Sequence, residues 1–224
     1  MDKILLSIYN LGMIELIKSI QIPTSDKIEL FAQRGKESSK NVLLIGGFHG
    51  EEPQGVVALN YYLKNPKATK NNLFIIPCLN PSGYKINKRT NFNDVDLNRN
   101  FPTKNWILTD KDDFFGGVTP ASENETKFLI DVIEEVKPDM ILTLHSPFRI
   151  VNYDGPAQFY ANKISEIIDY PIQGDIGYPT PGSFGTYCGV ERQIPTITLE
   201  FDEKDNIEHI TLKTLEIIDF LSKM

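Results

Sequence analysis

Four short apolar runs constrain this chain more than any other feature: NVLLIGG from residue 41, NLFIIPC from 72, DMILTLH from 139 and PTITLEF from 195. Each is aliphatic and nearly continuous, the pattern of a strand covered on both faces and not of one with a wet side. Helical periodicities fill the gaps, over residues 53–63, 122–136, roughly 161–169 and 207–221. This alternation predicts an α/β fold, a single-domain α/β/α sandwich with helices on both faces of a central mixed, mostly parallel sheet. The sharpest helix start is Ser122-Glu123-Asn124-Glu125. There a hydroxyl and the carboxylate three residues on can satisfy each other's backbone donors as a capping box. Phe128, Leu129, Val132, Ile133 and Val136 then keep one apolar face.

The chain of 224 residues carries no internal repeat or linker that would split it, so one domain spanning 1–224 is expected. With 41% hydrophobic and 24% charged residues, wholesale disorder is excluded. The charge balance is 23 − 30 = −7, and the cations form no basic block, which argues against a nucleic-acid surface and for a small or peptidic partner. Two cysteines, Cys78 and Cys188, cannot frame a chain this long with disulfides, and reduced thiols are the plainer reading. The opening MDKILLSIYNLGMIELIKSI is a poor export signal: Asp2 offsets Lys3, Asn10 and Glu15 interrupt the apolar run, and no small-residue cleavage site follows. Nothing elsewhere approaches the 18 apolar residues or so of a membrane span. A cytoplasmic protein with no membrane partner is expected.

In open α/β sheets, sites gather beyond the carboxyl ends of the strands. Three chemically capable residues stand there: His49, His145 and Glu200. His49 and Glu52 form an H-x-x-E pair in GGFHGEEPQG. Chance alone would place a glutamate three residues after one of the three histidines about one time in five, so context must decide. Gly46 and Gly47 allow a tight exit from the strand, and Pro53 suits the first turn of a helix, so the loop presents its polar groups at a strand-to-helix corner. With His145 as a third ligand, His₂Glu plus an open position is a catalytic zinc set, whereas a closed structural site would want four protein ligands. The alternative is that both histidines are hydrogen-bonded core or loop residues. Long polar connections run over 80–119 and 174–192, and loops of that length inside a compact domain are usually functional. The first holds Arg89, Asp96, Asn98 and Arg99; arginine's planar fork suits carboxylate recognition, the alternative being a solvated polar loop.

HGEE at 49–52, VDLNRNFP at 95–102, GGVTPASENET ending at Thr126, LTLHSP around His145 and TITLEF around Glu200 occur in that order. Together they resemble the zinc carboxypeptidase family. The match spans 49 to about 201, and the ordered set is specific although no single piece is. Within the family the chain looks most like the compact bacterial murein peptide amidase branch, with YPTPGSFGTY at 178–187 and neither an activation propeptide nor a convincing export signal. The resemblance implies hydrolysis of a peptide bond next to a carboxyl-terminal residue, most simply the γ-D-glutamyl-diaminopimelate bond of murein peptides being recycled.

It also implies roles. His49, Glu52 and His145 would hold one Zn²⁺ per chain. Glu200 would act as general base and then acid, and Arg89 would stabilise the oxyanion, with the adjacent Lys88 as the competing placement. Asn98 and Arg99 would grip the free carboxylate of a small peptide substrate. Asp96 would accept the N–H of a ligating imidazole, that of His49. Tyr178, preferred over Tyr187 because Gly177 precedes it, would cover the substrate. Phe184 would line the leaving residue's pocket, and Ser146 would contact the peptide through its backbone. His209 is expected on the surface, and both cysteines to be structural. Two other readings stay open: an acyl-amino-acid deacylase of the succinylglutamate desuccinylase or aspartoacylase type, which shares the H-x-x-E and Asn-Arg elements, and a non-catalytic zinc-binding peptide receptor. The full VDLNRNFP and SENET segments favour the peptidase, and Glu200 speaks against the receptor.

Overall fold

The apolar runs do become strands. In the computed structural model, which describes residues 13–37, 39–174 and 179–224, the four runs are β3 (Asn41–Gly46), β4 (Asn72–Ile76), β5 (Met140–His145) and β7 (Thr196–Asp202). They lie side by side and parallel in the order β4-β3-β5-β7. Their side chains alternate between two cores. Val42 and Leu44 pack with Leu59, Tyr62 and Leu63 of α1 (Pro53–Lys64) and with α5 (Ile207–Leu221) on one face. Leu43 and Ile45 pack with Phe128, Leu129 and Val132 of α3 (Asn124–Val136) on the other. Helices therefore cover both faces, as the continuous runs require.

Three strands extend the sheet beyond what the apolar runs indicate. β1 (Glu15–Gln21) and β2 (Lys27–Gln33) form an antiparallel ribbon whose second strand pairs with β4. β6 (Phe148–Asp154) returns antiparallel to β7 at the opposite edge. All three carry charged or polar residues; β1 and β6 are the two edges of the sheet, and β2 lies just inside β1. The helical pattern over 161–169 becomes α4 (Gln158–Ile168), which buries Ala161, Ile164 and Ile168. Among the described residues no helix is long and apolar enough to cross a membrane.

The capping box at Ser122 does not form. The N-cap of α3 is Glu123, without a side-chain cap bond, and its backbone N–H donates to Asn100 Oδ1. The Ser122 hydroxyl donates to Glu123 Oε1 and accepts from Asn100 Nδ2. A tertiary partner, Asn100, has taken the role that local sequence assigns to the capping pair.

The 80–119 connection is more ordered than its composition suggests. It opens with α2 (Pro81–Ile86), started by Pro81 and by Asn80, whose side chain accepts from the Gly83 N–H. It then passes through a 3-10 turn at Leu97–Arg99, where the Asp96 carboxylate accepts from the Asn98 N–H. The long loop thus has its own fixed corners, and the second of them faces the sheet's carboxyl edge.

Candidate metal centre and its cavity

Gly47, at φ 63°, lets the chain turn sharply out of β3, a conformation costly for any residue with a Cβ. That turn sets His49 above the strand end, 4% exposed. Glu52 follows as the N-cap residue of α1, but its carboxylate does not cap the helix. One oxygen lies 2.7 Å from His49 Nδ1 and the other 3.0 Å from His145 Nδ1, at the end of β5. One ligand atom from each of the three residues lies within 4.8 Å of the others, all three buried. Two imidazole nitrogens and a carboxylate meeting at one point form the donor set of a catalytic zinc site.

The electrostatics agree. His49 sits between Glu52 and Asp96, whose Oδ1 is 3.1 Å from Nε2. Burial opposes a charge on the ring, yet the two carboxylates outweigh it and lift the His49 pKa to about 9. In return the histidines hold Glu52 down to about 2 against its own burial. Asp96, wholly buried, is also driven far below the usual carboxylate range by His49 and Arg89, again against desolvation. Both ring nitrogens of His49 thus face acceptors, and entry of a divalent cation at Nδ1 would displace a proton while Asp96 keeps the one on Nε2.

Around this cluster lies a cavity of about 220 Å³, whose wall includes Arg89, Asn98, Arg99, Ser146 and Glu200. Glu200 faces His145 directly across the β5–β7 ladder. It is 8% exposed, its Oε2 has no hydrogen-bond partner among the described residues, and burial pushes its pKa up. A carboxyl whose pKa is raised by desolvation suits proton transfer.

Arg89 donates through Nε and Nη2 to Asp96 Oδ2 at 3.2 and 2.9 Å, and its Nη1 lies 3.8 Å from Glu52 Oε1. Lys88 instead pairs with the exposed Asp94, outside the cavity, so geometry favours Arg89 of the two. Asn98 accepts the Phe184 N–H on Oδ1 at 2.9 Å, which leaves its amide N–H groups for the cavity. Arg99 is anchored by one bond from Nη1 to the Asn98 carbonyl, and the Phe114 ring lies 5.1 and 5.9 Å from the guanidinium carbons of Arg89 and Arg99. The Ser146 hydroxyl donates to Gln54 Oε1 at 3.3 Å, just before a cis bond to Pro147.

Not every expected residue joins this wall. Phe184 is 2% exposed, with its ring against Phe48 and Phe101; it packs beneath the site, while its neighbours Ser183 and Gly185 line the cavity. The adjoining π-helical turn at Thr186–Val190 buries Tyr187 and Cys188 in the same core. Tyr187 is likewise buried, against Phe101 and Arg192. Tyr178 lies outside the described residues. His209 is exposed and meets Asp205, as expected of a surface residue. Both thiols are free, and burial raises the pKa of each, Cys78 to about 12.

Several contributors carry no sequence signal of their own. Asn91 donates from Nδ2 to Glu123 and Glu125 at the start of α3, and its Oδ1 accepts the backbone N–H groups of Asn93 and Val95. This latch fixes the loop that bears both Arg89 and Asp96. It gives the SENET stretch a structural task in place of the missing capping box. Phe114, within the long 80–119 connection, and Asp154, at the end of β6, also line the cavity without belonging to any motif.

A model of the zinc carboxypeptidase family matches residues 15–165. Murein peptide amidase A of Vibrio campbellii is 34% identical over 177 residues, 73% of this chain and 70% of that protein. Its counterpart in Escherichia coli K12 is 31% identical over 176 residues, covering 73% and 72%. Among solved structures, murein-tripeptide amidase of Escherichia coli O157 superposes with a TM-score of 0.75 at 26% identity, over 94% of this chain and 91% of that one. Carboxypeptidase A of Helicoverpa armigera shares the fold, with a TM-score of 0.79 at 19% identity over 92% and 67% of the two chains.

Proposed function

The chain belongs to the zinc carboxypeptidase family, and from that premise we propose that it is a murein peptide amidase, hydrolysing the bond between γ-D-glutamate and a carboxyl-terminal diaminopimelate. The observation that carries the mechanism is the pairing across one ladder of His145, in the His49–Glu52–His145 cluster, with Glu200, a buried carboxyl with one oxygen unpartnered among the described residues. The substrate assignment is supported by the amidases that match over most of their length.

His49, Glu52 and His145 would hold the Zn²⁺. When bound, the ion acidifies water and polarises the scissile carbonyl. Asp96 orients His49 through Nε2 and at the same time holds Arg89 by two hydrogen bonds, so one buried carboxylate positions both a ligand and a cation. Glu200 removes the proton of the attacking water and passes it to the leaving amine. Arg89 offers its guanidinium to the oxygen that becomes negative in the tetrahedral intermediate. Asn98 and Arg99 bind the terminal carboxylate, which lets a protein of net charge −7 hold an acidic peptide, because local charge outweighs the distant remainder. Ser146, beside His145, would contact the peptide through its own backbone, and Tyr178 would cover the bound substrate.

In this reading residues 1–224 form one catalytic domain that works in the cytoplasm on peptides recovered from the wall; the two free thiols support a reducing compartment. The test is zinc-loaded protein incubated with L-alanyl-γ-D-glutamyl-meso-diaminopimelate. Free diaminopimelate should appear, cease with a chelator and return with added zinc. Release of acetate or succinate from N-acyl amino acids, with the tripeptide untouched, would overturn the substrate assignment. Turnover indifferent to the chelator would overturn the metal assignment.

A further inference from the structure

Arg99 is a buried cation with little to answer it. It is 6% exposed, its guanidinium donates one hydrogen bond, from Nη1 to the carbonyl of its neighbour Asn98, and among the described residues it forms no ion pair. Arg89, by contrast, is tied to the Asp96 carboxylate by two hydrogen bonds. A charge withdrawn from water needs a compensating group. The group at hand is aromatic. The Phe114 ring centroid lies 5.9 Å from the guanidinium carbon of Arg99 and 5.1 Å from that of Arg89, within the range at which a ring's negative face attracts a cation.

The backbone around this ring is fixed against the segment that bears the arginine. The Phe114 N–H donates to Asp112 Oδ1 at 2.8 Å, and the carbonyl of the next residue, Phe115, accepts the Asp96 N–H at 2.8 Å. The Gly116 carbonyl accepts from Asn100 Nδ2 at 2.7 Å, and a Cβ on Gly116 would lie 2.5 Å from the Arg99 carbonyl oxygen. The 112–116 turn therefore rests directly on the 96–100 turn. Its packing is supplied by Phe115, which is buried, whereas Phe114 is 47% exposed and lines the cavity.

We propose that Phe114 is a positioning residue, whose ring holds the guanidinium of Arg99, and to a lesser degree that of Arg89, in the pose that meets the substrate. The two arginines depend on the ring unequally because they are anchored unequally, Arg99 by one hydrogen bond and Arg89 by two to a buried carboxylate. Loss of the aromatic face thus weakens binding of the terminal carboxylate more than it slows the chemical step. This rests on the functional reading above, which gives the carboxylate to Arg99 and the oxyanion to Arg89.

The experiment compares Phe114→Leu, which keeps an apolar side chain and removes the π face, with Phe114→Tyr, which retains it. On L-alanyl-γ-D-glutamyl-meso-diaminopimelate, Phe114→Leu should raise KM by about 3- to 30-fold, the range of a cation–π contact from exposed to desolvated, and should lower kcat by less. Phe114→Tyr should avoid most of that loss. In an Arg99→Ala background, Phe114→Leu should leave KM where Arg99→Ala alone puts it, since no guanidinium remains there to hold. An unchanged KM in Phe114→Leu, with or without a slower kcat, overturns the inference. So does an equal loss in Phe114→Tyr, or one that persists undiminished in the Arg99→Ala background, which would make the ring a direct contact of the substrate. If the tripeptide is untouched while N-acetyl amino acids are hydrolysed, the substrate assignment fails by itself. The same variants are then read on acetate release, because an N-acyl amino acid brings the same carboxylate to Arg99.

Discussion

The two halves of the cavity handle charge in opposite ways. On the β3–α1 side every ionised group is matched: Glu52 accepts from two histidines, and Asp96 accepts from His49, Arg89 and the Asn98 backbone. On the β6–β7 side, Glu200 has an oxygen without a partner and Asp154 has none at all among the described residues. The matched half is rigid before anything binds, since each carboxylate is tied at both oxygens. The unmatched half bears the cost of desolvating carboxyls that nothing answers, a cost the fold can tolerate only where a ligand or a proton in transit relieves it. The contrast separates carboxylates that hold position from carboxyls left to meet a ligand or a proton.

The largest expected effect lies in the unmatched half. Glu200→Gln should reduce kcat by at least about 10²-fold, the lower end for general acid–base catalysis, while elemental analysis still finds one zinc per chain. Full activity in that variant would erase the contrast. Because burial raises the Glu200 pKa, the acid limb of the kcat/KM profile should lie above the ordinary glutamate range, with activity falling as pH drops through it and the carboxylate gains its proton. Arg89→Ala tests the matched half. It should cost about 10²- to 10³-fold in kcat through the lost oxyanion partner. Asp96 would keep its bonds from His49 and the Asn98 backbone, so zinc content should persist. Loss of the metal instead would show that Arg89 serves the cage more than the reaction.

A smaller effect is expected of Arg99→Ala: a rise in KM of roughly 10- to 100-fold for peptides with a free terminal carboxylate, and little change for their amides. Equal losses for both would remove the carboxylate from Arg99. The smallest effect concerns stability at the latch. Glu125 is fully buried with one oxygen unpartnered among the described residues, and desolvation raises its pKa. Its protonated form therefore favours the folded state, and that contribution is present below the unfolded pKa, near 4.5, and is lost as pH rises through the higher folded value. Glu125→Gln, which can still accept from Asn91, should raise the melting temperature at pH 8 by a degree or a few, and the gain should vanish by about pH 4. A variant less stable at both pH values would mean that the ionised carboxylate supports the latch.

The parallel core was legible because a strand buried on both faces must be apolar throughout, and NVLLIGG, NLFIIPC, DMILTLH and PTITLEF satisfy that condition without reference to anything else in the chain. The strand-end rule then put His49, His145 and Glu200 at one edge. The edge strands β1 and β6, and β2 beside the first of them, escaped notice because strands at the margins of a sheet tolerate charge, and their runs of ELIKSIQ, FRIVNYD and KIELFAQ blur into loop composition. Phe184 misled because an aromatic beside a Gly-Ser turn reads equally well as pocket lining or as core.

From residues alone the chain fixed the positions of its central strands and the chemical types waiting at their ends, since burial demands and strand period are local properties. Only the folded arrangement decided which carboxylate answers which cation. Glu52 meets His145 across 93 positions, and Asp154 reaches the cavity through the register of β6 on β7. Such pairings depend on distances of a few ångströms between segments far apart in the chain, and no local pattern encodes them.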